Sequence, residues 1–306
     1  MESTYESIIE SQIFTFVVGA NKKEYKVHRA AFSALSKPLN VLLNGPHKEA
    51  KDLRVEWPDV DEQTFVRFTE WAYTKSYVTE EPEIILDHSD IELSAPRDDG
   101  SDLKTSGSIG GPEEALYSLE SLPKKPDLIN RDHCGNPKCS DFGVSATYRN
   151  RYKKTKCLSI GTARSRLIDE FMDGPGSDHA TTTLGFQPKK NKEGCEDFTG
   201  VFLCHAKLYV LGDTYDISEL RQLSLYRLHA TLKVFTLYPS RLNDIATLAK
   251  YVFLNTQQQD KIQDMIALYY ACIVEDASKH GALKSLIDEI PDFAFKLISR
   301  MSERLQ

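Results

Sequence analysis

The chain has 306 residues, of which 41% are hydrophobic and 27% are charged, enough to bury a sizeable core in one or two domains. Its net charge of −7 argues against a wholly basic nucleic-acid-binding surface. The acidic N-terminus lacks the features of a signal peptide, and no apolar run approaches the roughly 18 residues that span a bilayer. The composition therefore predicts an intracellular protein, cytoplasmic or nuclear, without a membrane segment.

The first predicted element is a β-hairpin that leads into helices. The sequence FTFVVG at residues 14–19 alternates as a half-buried strand does, and the polar GANKKE turn separates it from a returning strand at Tyr25–Val27. Helix-forming residues follow as far as Leu43, and Pro38 forces a break between two short helices.

The next predicted elements are a short strand at Leu53–Val55 and a helix. A Trp-Pro-Asp turn ends the strand, and Asp61 can cap the helix that follows. Apolar residues at helical spacing form one stripe along this helix. The pattern favours core packing for Trp71 and Tyr73 over an aromatic ligand site.

The composition changes abruptly after Val78. Residues 82–197 hold 11 of the 16 glycines and 8 of the 13 prolines, but only 6 of the 30 aromatic residues. Such a segment has too little apolar surface to offset the entropy of ordering it. We therefore expect residues 81–197 to be largely disordered, with short helical pieces near Glu113–Leu122 and Ala163–Met172.

Helical patterns resume at Phe198. One helix is predicted at Val201–Leu211, Gly212 and Asp213 are expected to interrupt it, and a second helix begins near Ser218. Beyond Pro239, three further apolar stripes predict an all-α region at residues 238–306. Two or three helices bury their own stripes poorly, so we expect them to pack onto residues 201–237.

Three blocks in this order resemble the BTB (POZ) domain family: Phe14–Ser36, Val55–Tyr77 and Lys207–Leu232. The resemblance implies an α+β BTB/POZ fold, a small sheet flanked by helices. It further implies a domain in two parts, residues 1–80 and 198–237, with residues 81–197 as an insertion. The all-α C-terminal extension at residues 238–306 is similar to the tail of many fungal BTB proteins.

The resemblance also implies a function and its residues. BTB domains bind proteins: many self-associate, some recruit co-repressors, and some are substrate adaptors for cullin-3 ubiquitin ligases. Arg29 matches one half of the co-repressor pocket, but Ile13 stands where the acidic half is expected. The hydrophobe-x-Glu triplet of cullin-binding members corresponds to His47-Lys48-Glu49. His47 replaces the hydrophobic residue of the triplet. Burying such a side chain at a contact is typically worth about 1.5–3 kcal/mol, so weaker cullin-3 binding is expected unless other contacts compensate.

No catalytic motif is present in the sequence: there is no phosphate-binding loop, nucleophile elbow or zinc-protease helix. His28, His205 and His229 are interpreted as structural residues that form local hydrogen bonds. We therefore predict a non-enzymatic protein that needs no cofactor.

Cys134 and Cys139 are separated by a Gly/Pro turn, which suits one half of a zinc knuckle. A second pair would have to come from residues at long and irregular separations. The single pair favours free thiols over structural zinc.

The stretch Tyr148–Arg166 carries seven basic residues and no acidic one. Its core consists of Arg149, Arg151, Lys153, Lys154 and Lys156. It can pair with the acidic run at Glu80–Asp102, direct nuclear import, or contact a phosphate backbone. Pairing is the favoured interpretation and nucleic acid the least favoured. The alternative function is that of a nuclear, transcription-related regulator.

Overall fold

The computed structural model describes residues 5–85, 116–121, 160–174, 185–279 and 281–302. The first range forms a small sheet surrounded by helices. Its elements are α1 (Tyr5–Ile9), β1 (Ile13–Val18), β2 (Lys23–His28), α2 (Arg29–Ser33), α3 (Lys37–Asn44), α4 (Lys48–Asp52), β3 (Arg54–Trp57), α5 (Glu62–Thr74) and β4 (Glu83–Ile84).

The other described ranges are mostly helical. Their elements are β5 (Tyr117–Ser118), α6 (Ile160–Met172), β6 (Glu196–Asp197), α7 (Thr199–Thr214), α8 (Ser218–Val234), β7 (Thr236–Leu237), α9 (Leu242–Asn255), α10 (Lys261–Ala277), α11 (Gly281–Glu289) and α12 (Pro291–Ser302). The predicted architecture, a small sheet flanked by helices with a helical C-terminal region, is confirmed. Among the helices of these ranges, none is both long and apolar enough to cross a bilayer.

The first three strands form one sheet in the order β2-β1-β3. β1 pairs antiparallel with β2, which sets Phe16 opposite Tyr25, and parallel with β3, which sets Phe16 opposite Val55. A parallel pair needs a long crossover, and α2, α3 and α4 supply it. The short strand predicted at Leu53–Val55 is present, but it runs from Arg54 to Trp57.

The inner face of the sheet packs on α5 through aromatic rings. Phe16 is fully buried, and its ring centroid lies 4.8 Å from that of Trp57 and 5.2 Å from that of Phe65. Trp71 is also buried, as its place in the apolar stripe predicts. The core prediction is wrong for Tyr73, which is 38% exposed.

α7 and α8 form an antiparallel hairpin in which a glycine lets the two helices pack closely. The predicted interruption at Gly212 is wrong, because α7 continues through it to Thr214. A Cβ atom at Gly212 would lie 3.1 Å from the backbone nitrogen of Arg221 on α8. Gly212 therefore marks a close approach of two helices, and the chain reverses at Asp216, whose φ is +52°.

α10 lies at the centre of the C-terminal region. Thirteen of its 17 residues are buried, so it needs neighbours on nearly every side. α6, α9 and α12 pack against it, and α9 also packs on α7 as expected. The sequence predicts three helical stripes after Pro239, whereas the structure adds α11, which buries only Leu283 and Leu286.

The structure describes residues 81–85, 116–121, 160–174 and 185–197 of the segment for which low order with short helical pieces is predicted. The helix predicted at Ala163–Met172 is confirmed as α6, whose Leu167 and Phe171 are buried. The Phe171 ring lies 5.3 Å from that of Tyr269 on α10. This amphipathic helix gains its stability from α10 rather than from its neighbours in sequence.

Two short strand pairs involve this segment: one joins its two ends, and the other ties it to the strand that follows α8. β4 pairs with β6, and β5 pairs with β7. The helix predicted at Glu113–Leu122 is wrong for the described residues 116–121, which contain β5 and a short 3₁₀ turn. The Leu116 amide donates to the Leu237 carbonyl at 2.8 Å, so pairing with a distant strand overrides the local helical preference.

Candidate functional site

The predicted cullin-contact residues lie on a surface formed by α3 and α4. Ser36 caps α3 by accepting a hydrogen bond from the Leu39 amide at 3.3 Å. α3 ends at Gly45, where a Cβ atom would lie 2.3 Å from the Val41 carbonyl and 3.4 Å from the His47 ring. Gly45 therefore lets the chain turn tightly and brings His47 against the end of α3.

This surface exposes both an aliphatic side chain and polar side chains. Val41 is 53% exposed, while its neighbours Leu39 and Leu43 anchor α3 in the core. His47 is exposed at the residue before α4, and Glu49 is partly exposed in its first turn. The structure thus places His47 and Glu49 on the same surface as the exposed Val41. The sequence analysis did not identify Val41 as a candidate. Its position on the outer face of α3 could have revealed it.

Arg29 lies elsewhere, at the first residue of α2. Its backbone amide donates to the Gln12 carbonyl at 2.9 Å, which holds it beside the start of β1. Ile13 pairs with His28 in the sheet and is 46% exposed. Within residues 5–85 no ion pair joins the Arg29 side chain to a carboxylate, so the loss of the acidic half of the co-repressor pocket stays a prediction. No hydrogen bond between described residues joins Arg29 to His47 or Glu49.

A buried polar network connects the end of α5 to the α7–α8 hairpin. The Tyr77 hydroxyl lies 2.8 Å from Nδ1 of His205, which is fully buried. The Arg227 guanidinium lies 4.2 Å from the centre of the Tyr77 ring and 4.8 Å from that of Phe186. It also donates to the Tyr77 carbonyl and, at 2.8 Å, to the Ser76 hydroxyl. These contacts hold the segment after α5 in place.

The electrostatics of this network give it a structural role. Burial, and then the positive charges of Arg227 and Arg67, lower the pKa of His205 to about 3. His205 is therefore neutral near pH 7. Burial is also the main cause that raises the pKa of Tyr77 well above its usual range.

The local hydrogen bonds predicted for the three histidines are replaced by bonds with distant residues. His28 bonds with the Tyr73 hydroxyl at 3.0 Å, which keeps Tyr73 near the surface. His205 bonds with Tyr77, and His229 with the Phe171 carbonyl. His205 and His229 lie within α7 and α8, whose backbone groups are already paired, so each ring bonds with a neighbouring element.

The remaining candidate residues lie outside the described ranges. These are Cys134 and Cys139 of the weak zinc pair, and Arg149, Arg151, Lys153, Lys154 and Lys156 of the basic stretch. Two basic residues from the end of that stretch, Arg164 and Arg166, are described. Arg164 pairs with Glu275 at 2.8 Å and donates to the Cys272 carbonyl. Among the described residues, no group of three or more His, Cys, Asp and Glu side chains could hold a metal ion.

The fold and this surface define a protein-interaction module. A model of the BTB/POZ domain family matches residues 10–91, so these residues form a BTB/POZ domain. This is a domain of protein binding and self-association, and not a family of enzymes. Comparisons with curated proteins and with solved structures give no significant match.

Proposed function

We propose that this protein is a non-enzymatic adaptor or scaffold, and that the α3–α4 surface of its BTB/POZ domain binds cullin-3. The observation that carries the proposal is the joint exposure of Val41, His47 and Glu49. A carboxylate beside an exposed aliphatic side chain is the combination expected of a cullin-binding surface. Val41 supplies apolar area close to the position where His47 replaces the usual hydrophobe.

We further propose that residues 198–237 complete the BTB/POZ domain. Four leucines of the α7–α8 hairpin and Ile217 share one core with the sheet residues Phe14 and Phe16; the leucines are Leu208, Leu211, Leu220 and Leu223. Burial of this shared apolar face would couple the hairpin to residues 10–91. In this proposal, residues 238–306 are a separate all-α extension that supports the hairpin from its other side.

The test is a calorimetric titration of the full chain with the purified N-terminal region of cullin-3. We expect binding, and we expect Glu49→Ala to weaken it by about tenfold, the usual effect of removing a charged hydrogen-bonding group. Asp288→Ala is the matched control, because Asp288 is an exposed carboxylate on α11. No binding by the unaltered chain would rule out cullin-3 as the partner. Equal losses in both variants would rule out Glu49 as a contact.

A further inference from the structure

A second candidate site lies away from the α3–α4 surface. A pocket of about 400 Å³ opens where the connection between β3 and α5 meets α7 and α9. This volume is within the range of ligand-binding pockets. Neither His47 nor Glu49 lines it, so it is a site separate from the proposed cullin contact.

One wall of the pocket is aromatic. Trp57, at the end of β3, stacks on Tyr215 with 4.5 Å between ring centroids and 21° between ring planes. Tyr251 from α9 adds a third ring to the lining. Trp57 is buried under Tyr215, so the accessible aromatic surface comes from Tyr215 and Tyr251, which are partly exposed. The faces of aromatic rings carry partial negative charge and attract cations.

The charged residues that line the pocket also favour a cation. The pocket is lined by Glu56, Asp59, Asp61 and Lys207, so it has three carboxylates and one ammonium group. Lys207 pairs with Asp61 at 3.1 Å. Among the residues that the structure describes, Glu56 and Asp59 form no ion pair, so no described cation neutralises their charge.

The two tyrosines are affected by this negative charge. Burial, followed by the charge of Asp59, raises the pKa of Tyr215 to about 12. Burial, followed by the charge of Asp61, raises the pKa of Tyr251 to about 12. Both hydroxyls remain neutral near pH 7, so the aromatic wall adds no competing charge.

We infer that this pocket binds an arginine or lysine side chain from a basic segment of a partner protein. The aromatic wall and the unbalanced carboxylates are complementary to a flat or compact cation on a long aliphatic stem. An extended peptide suits an open pocket, and the surrounding fold contains a protein-interaction domain. The inference rests on the proposed function only in taking the ligand to be a protein; it does not depend on cullin-3.

The test uses the full chain and two sets of short fluorescent peptides with varied flanking residues. One set has arginine at its centre, and the other has citrulline, which keeps the shape but not the charge. Fluorescence anisotropy should show binders in the arginine set and binding about tenfold weaker by their citrulline counterparts, as expected for the loss of a charged hydrogen-bonding group. Asp59→Asn and Glu56→Gln should each weaken arginine-peptide binding by up to about fivefold. Asp288→Asn, which removes one charge outside the pocket, should leave it unchanged.

Three results would overturn the inference: no binder in the arginine set, equal binding of matched arginine and citrulline peptides, or equal losses in the pocket variants and the Asp288→Asn control. A third peptide set with glutamate at its centre tests the opposite preference. Stronger binding of that set would mean that Lys207 selects anions, and would also contradict the inference. The cullin-3 titration reports separately on the proposed function, because Asp59→Asn leaves His47 and Glu49 intact.

Discussion

The Tyr77 hydroxyl and Nδ1 of His205 form a 2.8 Å hydrogen bond between residues that are 128 positions apart. Tyr77 follows α5 and lies in the range matched by the BTB/POZ family, whereas His205 lies on α7. Both side chains are buried. This single contact therefore joins the matched domain to the helical hairpin that lies beyond the long intervening segment.

Tyr77→Phe should lower the free energy of unfolding by about 1–3 kcal/mol, because it removes the partner of a buried ring nitrogen. Urea denaturation monitored by circular dichroism measures this change. The control is Tyr73→Phe, which removes the hydroxyl that bonds with His28 at an exposed position. That loss should be smaller, because water can replace the missing bond. Equal losses in the two variants would contradict the prediction.

His205 should make stability depend on pH. Its pKa is about 3 in the folded protein, below the ordinary histidine value of 6.5. The unfolded chain therefore takes up a proton that the folded chain does not as pH falls below about 6.5. The stabilisation is fully present above that pH and is lost as pH falls towards about 3. Between about pH 7.5 and about pH 5 this loss should reach roughly 2 kcal/mol.

Asp244 acts in the opposite direction, because burial raises its pKa to about 6. It takes up its proton more readily when folded, which adds stability as pH falls from about 6 to about 4. The His205 effect must therefore be measured as a difference. His205→Phe removes that titration but keeps Asp244, so its unfolding free energy should fall less between the two pH values than that of the unaltered chain. Parallel pH profiles would show that His205 does not titrate in this way.

Gly212→Ala and Gly281→Ala should have effects of opposite sign. A Cβ atom at Gly212 would lie 3.1 Å from the Arg221 backbone nitrogen, whereas nothing lies within 4 Å of one at Gly281. In a helix, alanine is more favourable than glycine by up to about 1 kcal/mol of folding free energy. We expect Gly281→Ala to be neutral or stabilising, and Gly212→Ala to destabilise by about 1 kcal/mol net, because two helix backbones must separate. Thermal unfolding of both variants gives the comparison, and a higher melting temperature for Gly212→Ala would refute the close-packing argument.

His47→Leu should strengthen binding to cullin-3 by about tenfold or more, because it restores an apolar side chain that can be buried at the contact. His47 is exposed and its side chain caps no helix amide, so the substitution should leave the fold intact. Calorimetric titration against the same cullin-3 region measures the change. Lys48→Leu adds the same side chain at the next, also exposed, position and serves as the control. Equal gains from both would indicate nonspecific hydrophobic attraction.

The sequence predicted elements whose signals are local. Strand alternation at Phe14–Val18, the cap at Asp61 and the stripe that includes Trp71 all depend on neighbouring residues. The exposure of His47 and Glu49 could also be anticipated, since both lie in a polar turn. The Tyr77–His205 bond could not, because nothing in either local pattern identifies a partner so far along the chain.

Two errors have a common physical cause, which is that tertiary packing overrides the local pattern. The sequence predicts a helix break at Gly212. In the structure, the absence of a side chain there lets α7 and α8 approach each other. The described residues 116–121 fall in a predicted helix, yet β5 pairs there with the distant strand β7. The pocket beside Trp57 could not be predicted from the sequence either, since α7 and α9 supply lining residues that are distant along the chain.

Phe171→Ala tests whether α6 is an integral part of the C-terminal core. Phe171 is 1% exposed and its ring lies 4.8 Å from that of His229, so truncation should lower the unfolding free energy by about 3–5 kcal/mol. Phe295→Ala is the matched control, because Phe295 on α12 is 73% exposed and its loss should cost less than about 0.5 kcal/mol. Denaturant unfolding of both variants decides the point. Equal, small effects would mean that α6 contributes little to the core, whereas the expected difference would show that this helix supports α10 despite the composition around it.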